Sequence, residues 1–521
     1  MKFYVPSNIL LMIVLFLLFD VITQIQLITF SVLSEIITEM NNHTLSTHFG
    51  IVPTETKLSF VNSIITTSNQ VGNALSILLL LPVVDYKGRK FVAVYLRFAL
   101  IFSTGICHLL AALFQASEVF ILGQFLLGVQ TSLRFFATQM FIVESSPDNC
   151  RGFASASLAF AFVISKLVMF SSSSPSLLGT SDLWFIYPVF EMITATIIFC
   201  LMLHLPESPK WLIQQDKLDE AKMSIKFYHG KKCTIDEIVT SFIKERNLTN
   251  KNKISLKEVW DNETLREGLK IVFAVLLFLE FDTSYVTSVY TIDFHKSAGF
   301  TVQQALNINL IITTVLFPTK FIGTFLLDAL GRRPVLAIAG IIQFSRSCLI
   351  LSVEIIIYAF GSSWLTRIMF VVVESLSPIA SATGVNSIRL LLTMELFPSS
   401  ARTVVGQAKL FGSMLIGTPI VSLFPIINSL FPPIFFVPFV ITQLLLGIYL
   451  FRHMPETRGR AVYDIIESLD RNVASRAASI NEEKTPLIKN RARTFGAKRN
   501  SILNTPRSRA LTFDHKFDSE I

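Results

Sequence analysis

Charge is scarce in this sequence: only 16% of its 521 residues are Asp, Glu, Lys or Arg, against 51% hydrophobic residues. An ordinary soluble enzyme carries about a quarter charged residues, so that class is excluded. Cysteine is scarce as well. The five cysteines, Cys107, Cys150, Cys200, Cys233 and Cys348, fall in apolar runs or on one side of them, which leaves no basis for an extracellular disulfide framework. There is no G-x-x-x-x-G-K-[ST] phosphate loop, so pumping by ATP hydrolysis is excluded. No enzyme signature appears, and neither a cofactor nor a metal is expected.

What the sequence has instead is long apolar runs. A bilayer-spanning helix needs roughly 20 apolar residues, because lipid offers no partner to backbone N–H and C=O groups. About twelve runs qualify, with cores near 7–33, 59–83, 91–114, 119–143, 153–172, 184–205, 269–292, 304–327, 334–358, 364–392, 403–427 and 432–451. The eighth and tenth hold internal prolines, expected where freed backbone groups are buried or line a wet cavity. The first run is too long for a cleaved signal peptide and lacks a small-residue cleavage site. The chain therefore reads as an all-α polytopic membrane protein.

Basic residues orient it, since Lys and Arg in short loops resist translocation. Lys87, Arg89 and Lys90 follow the second run, and Arg332 and Arg333 follow the eighth. Segment 207–267 adds twelve basic and eleven acidic residues, whereas the other side offers little beyond Lys57 and Lys296. Both termini are expected in the cytoplasm, in a protein of the plasma membrane. The net charge of +8 then reflects topology and inner-leaflet attraction, with no nucleic-acid partner. Asn42-His43-Thr44 is the one glycosylation sequon on the outer side, while those at Asn247 and Asn262 lie inside and should stay bare.

One set of loop motifs occurs twice. DYKGRK begins at Asp85 and DALGRR at Asp328, 243 residues later; Glu144 with Arg151 seven residues on is matched by Glu395 with Arg402, an offset of 251; PES at Pro206 is matched by PET at Pro455, an offset of 249. Three ordered pairs at a nearly constant offset imply two six-helix halves from a parallel duplication, with a substrate site between them near the midplane. The division is an N-terminal half to residue 206, a linker over 207–267 with short amphipathic helices, a C-terminal half over 268–453 and a tail over 454–521 expected to be disordered.

These loops also suggest a gate. Gly88 and Gly331 permit tight turns, and Asp85 and Asp328 are placed to bond the free N–H groups at a neighbouring helix start. Arg89, Arg332 and Arg333 are expected to pair with Glu144 or Glu395, with Lys90 in the same gate and Arg151 and Arg402 adding bridges that balance two conformations. The plainer reading is that the charges only hold the loops inside.

D-x-x-G-R-[KR] and E-x-x-P-x-x-x-R in both halves, with PESPKWL at 206–212 and PETRGR at 455–460, resemble the major facilitator superfamily over roughly residues 59–460. Within it the pattern resembles the organic cation and anion transporter family, solute carrier family 22, with sugar porters as near relatives. The resemblance implies the major facilitator fold and alternating access between the halves. Leu81 and Gln124 depart from the usual motifs, where glycine and arginine are common.

Charges inside a bilayer are functional candidates. Asp20, Arg134, Lys166, Glu191, Glu280, Asp282, Lys320, Glu374 and Lys409 all fall within apolar runs. Lys320, in a P-x-K pattern that resembles organic anion transporters, and Lys409 suit an anion. Their alternative is to pair with Glu280, Asp282 or Glu374. Tyr285, Tyr290 and Asn69 offer stacking and hydrogen bonds. Asp20 and Glu374 would serve a cation. The main expectation is secondary transport of a small organic anion, with a coupling ion or counter-substrate. The alternatives are an organic cation, zwitterion or sugar-like solute, or a membrane sensor that does not transport.

Overall fold

The structure is a computed structural model that describes residues 6–147, 154, 157–230, 235–251, 255–321, 329–385, 388, 392–393, 396–397 and 399–456. Twelve apolar elements follow the expected cores. They are α1 (Ser7–Val32), α2 (Glu55–Leu79), α3 (Phe91–Phe114), α4 (Ser117–Ser145), α5 (Ala159–Ser172), α6 (Ile186–Met202), a broken α7 (Glu263–Glu280, Thr283–Val289 and Thr291–Ser297), α8 (Val302–Leu316), α9 (Arg332–Phe360), α10 (Trp364–Ala382), α11 (Ser399–Leu430) and α12 (Val437–His453). Among the described residues, seven helices are long and apolar enough to cross a membrane by themselves, and the hairpin of Thr291–Ser297 with Val302–Thr319 adds a bent pair.

The chain crosses back and forth between two faces. One carries the turns at Gly88 and Gly331 and the helices of 207–267, and is called the charged face below. The opposite face carries Asn42 in the last turn of the helix Ser34–His43.

The expected single seventh core is interrupted at Phe281 and again at Tyr290. At the first break the freed groups are satisfied, as apolar surroundings require. Gln443 donates Nε2 to the Phe281 carbonyl at 2.8 Å, and Asp282 caps the next helix by accepting from the Ser284 N–H at 3.1 Å. Prolines lie inside α10 at Pro378 and also inside α11 at Pro419 and Pro425, beyond those expected.

Small residues set the closest helix contact. A Cβ on Gly72 of α2 would collide with the Phe125 carbonyl, and one on Gly128 of α4 with the Asn69 carbonyl. Backbone therefore meets backbone along α2 and α4, a contact that a membrane helix pair achieves only with small residues. Helix α1 is buried along most of its length, against α5, α6 and the outer pieces of α7.

The expected amphipathic stretch after Trp211 is two helices, Pro209–Gln214 and Leu218–His229, separated where Asp216 takes a φ of +58°. Leu212, Ala221 and Ile225 form their buried face. Tyr228 ties this pair to the N-terminal half by donating its hydroxyl to the Pro206 carbonyl at 2.7 Å.

Candidate functional site

Three buried polar groups lie in the bundle. The first belongs to the N-terminal half, where Asp20 of α1 accepts from Arg97 Nη2 of α3 at 2.9 Å and from Arg134 Nε of α4 at 2.7 Å. Arg97 also donates to Thr138 at 2.6 Å and Thr23 at 3.1 Å, and Gln130 donates to Thr23 at 2.6 Å. One carboxylate thus holds two guanidinium groups, and Asp20 and Arg97 are both fully buried.

The second group is its counterpart with the signs reversed. Arg346 of α9, fully buried, lies 3.5 Å from Asp282 of α7 and 3.7 Å from Glu374 of α10. Its remaining donors go to the Thr283 hydroxyl, the Thr287 hydroxyl at 2.6 Å and the Val373 carbonyl at 3.1 Å. Lys166 of α5 reaches Glu374 electrostatically from the other half.

The third group bridges the halves. Gln70 of α2 donates Nε2 to the Tyr285 hydroxyl at 2.7 Å, and the Tyr290 and Thr66 hydroxyls meet at 3.3 Å. Nearer the opposite face, Ser31 donates to the Ser288 carbonyl at 2.9 Å, Ser34 to Asp293 at 3.0 Å, and Lys296 pairs with Glu35 at 3.1 Å. Together these hold the opposite-face side of the bundle closed.

The expected anion clamp looks different in three dimensions. Lys409 donates Nζ to Thr393 at 3.2 Å, and of Lys320 only the backbone is described, in the short helix Phe317–Phe321. Asp282 and Glu374, the alternative partners for those lysines, are bonded to Arg346 instead. Arg97 and Arg346 escaped the sequence reading. Both were findable by the rule that found the others, since each is a charge inside an apolar run. Asn69 donates to the Gln124 carbonyl at 3.1 Å and so serves the α2–α4 contact. Glu280 accepts from Ser413 of α11 at 2.7 Å.

At the charged face one of the expected pairs is present, while Lys90 donates Nζ to the Leu203 carbonyl at 2.8 Å and Arg333 donates Nη2 to the Phe451 carbonyl at 2.6 Å. Arg89 bonds Glu144 through Nε at 3.1 Å and Nη2 at 3.3 Å, and pairs with Asp85 at 3.1 Å. The free N–H at the start of α3, however, is capped by Glu207 and not by Asp85. Both Glu207 oxygens accept from the Lys90 N–H, at 2.8 and 3.0 Å. Glu456 does the same for α9, accepting from the N–H groups of Arg332 and Arg333 at 3.0 Å each. The acids of PES and PET are therefore the helix caps, one anion at each positive helix end. Gly88 and Gly331, at φ +109° and +94°, bring the backbone against those carboxylates, and a Cβ at either would strike Glu207 or Glu456.

Burial pushes the Glu207 carboxyl up from the usual glutamate range, against the pull of its backbone hydrogen bonds. Burial likewise lowers the Lys90 ammonium, opposed by Glu207. Arg151, Asp328 and Glu395 lie outside the described residues, as do the side chain of Arg402 and the tail beyond Glu456.

Over residues 26–469 the sequence matches the family described as sugar (and other) transporter. The chain belongs to that family. Its relatives include facilitated glucose transporter member 2 of chicken (Gallus gallus), 23% identical over 70% of this chain and 67% of the relative, and the major myo-inositol transporter of Bacillus subtilis, 23% identical over 79% and 86%. Facilitated glucose transporter member 5 of horse (Equus caballus) is 26% identical over 83% of this chain and 86% of its own. The fold matches the inward-open xylose transporter XylE of E. coli with a TM-score of 0.67, at 16% identity, covering 88% of this chain and 99% of that one. As a family member with the major facilitator fold, the chain is a membrane transporter and not an enzyme. The superfamily resemblance drawn from the loops therefore holds. Its finer form, organic cation and anion carriers, gives way to relatives that are sugar and inositol carriers, and the organic-anion expectation loses its support with it.

Proposed function

We propose that the chain carries a small, uncharged, polyhydroxylated solute of the sugar or cyclitol kind across the membrane, by alternating access between its halves. The observation that carries this reading is the Gln70–Tyr285 hydrogen bond, where an amide and a phenol meet across the halves at 2.7 Å. Amides and hydroxyls recognise solute hydroxyls without needing charge on the solute. Of the buried cations, Arg97 and Arg134 share Asp20, and Arg346 pairs with Asp282 and Glu374, so these three already face acids of the fold. The names of the relatives support the same class.

The charged face is assigned to the cytoplasm, with both termini there, and the protein to the plasma membrane. The Arg89–Glu144 cluster and the Glu207 and Glu456 caps act as the latch that loosens when the halves rock. Among the described residues, Ser31–Ser288, Ser34–Asp293 and Glu35–Lys296 join the halves on the opposite-face side, which supports reading this arrangement as one that opens toward the cytoplasm.

Uptake into proteoliposomes of labelled glucose, xylose and myo-inositol, beside an aromatic carboxylate and a quaternary ammonium ion, tests the reading. Saturable uptake of one polyol that falls at least tenfold in Gln70→Leu is expected. Uptake of the carboxylate or the ammonium ion alone would overturn the solute class. No uptake of any probe by folded protein would favour a sensor.

A further inference from the structure

A groove of about 600 Å³ opens on the lipid-facing flank near the charged face, between the helix Leu256–Asp261, α7 and α11. Leu256, Trp260, Leu269, Phe273 and Ala408 line it, and the charged residues on its wall are two lysines, Lys257 and Lys270. Its volume falls in the range of sites that hold small organic molecules. Packing explains why it exists. One turn deeper, Gly412 lets α11 close onto Phe273 and Leu276, whereas Ala408 lines the groove. Val259, fully buried against α7, fixes the short helix that forms the outer wall.

The chemistry of the rim decides the occupant. Trp260 and Leu256 remain about half exposed, at 54% and 43%, which suits side chains at a membrane boundary. Of the acids nearby, Glu258 accepts from the Ser255 N–H at 2.7 Å, Glu263 pairs with Arg266 at 3.4 Å, and Asp261 is exposed at the end of the short helix. Glu267 pairs with Lys270 at 2.7 Å, so an arriving anion would share that lysine, while Lys257 is exposed to receive it.

We propose that this groove is a binding site for an anionic phospholipid, one acyl chain lying along Phe273 and Ala408 and the phosphate held between Lys257 and Lys270. A lipid is the occupant that matches an apolar trough open to the bilayer with two cations at headgroup level. Bound there, it would join the linker's last helix to α7 and α11.

Native mass spectrometry of the full chain tests this, with dioleoyl phosphatidylglycerol competing against dioleoyl phosphatidylcholine. Wild type should retain the anionic lipid preferentially. Lys257→Gln with Lys270→Gln should reduce that preference about 25-fold, roughly fivefold for each lysine near the surface. Ala408→Trp should lose the bound lipid with both lysines intact, because it fills the groove. Lys217→Gln with Lys222→Gln, elsewhere on the same face, should change nothing. Equal retention of the two lipids by wild type would overturn the proposal, as would undiminished retention in folded Ala408→Trp.

Discussion

Tyr290 donates its hydroxyl to the Val421 carbonyl at 3.2 Å, and that carbonyl is the one Pro425 leaves without a helical partner. Proline has no N–H, so the acceptor four residues earlier in α11 goes unpaired unless something else reaches it. A side chain of α7 does so, with its ring packed against Phe424 and Phe30. Tyr290→Phe should therefore destabilise the protein by about 1–3 kcal/mol, the cost of a buried unpaired polar group. Pro425→Ala restores a helical donor and should recover most of that loss. Thermal unfolding of the four proteins of this double-mutant cycle measures the coupling.

The Arg346 cluster yields a second expectation. Replacing this arginine with methionine takes the cation from Asp282 and Glu374, two largely buried carboxylates with side chains 13% and 12% exposed. A loss of about 3–5 kcal/mol follows from removing one member of a buried ionic group. Adding Glu374→Gln should return part of it. An Arg346→Met protein that melts like wild type would show that the cluster has no structural role.

Glu207 gives a pH dependence whose sign is fixed by its raised pKa. The folded state binds this proton more tightly than the unfolded chain does. The contribution is complete below the ordinary glutamate range and fades as pH rises through the raised value. Glu207→Gln removes the titration. The melting temperature of wild type minus that of the variant should therefore fall as pH is raised from about 4 to 8. A flat difference would contradict the burial of this carboxyl.

Orientation is testable by glycan mapping. Expressed in a eukaryotic secretory system, the chain should carry one N-glycan, removed by Asn42→Gln and untouched by Asn247→Gln. Asn262 also has a structural duty, since its Oδ1 accepts from the Leu265 N–H at 3.1 Å as the cap of α7. A glycan at Asn247 or Asn262 would invert the assigned topology.

Much of this molecule was legible from one dimension. Apolar runs placed α1, α3, α9 and α12 within a few residues of their ends, because spanning a bilayer is a property summed along consecutive residues. The duplicated loops led to the superfamily for a similar reason: a tight glycine turn and its charges are local in sequence. The breaks in α7 were harder to read. The first depends on Gln443, more than 160 residues away, to satisfy the carbonyl it releases.

The sequence by itself determined the membrane setting, the twelve-span plan and the two-fold repeat of loops, all consequences of local hydropathy and turn chemistry. Only the tertiary structure decided which charges meet. Asp20 took two arginines, Glu374 took Arg346, and the caps of α3 and α9 went to Glu207 and Glu456. The physical reason is that an ion pair acts over a few ångströms through space. Its partner is set by which helix faces pack together, and sequence distance carries no record of that.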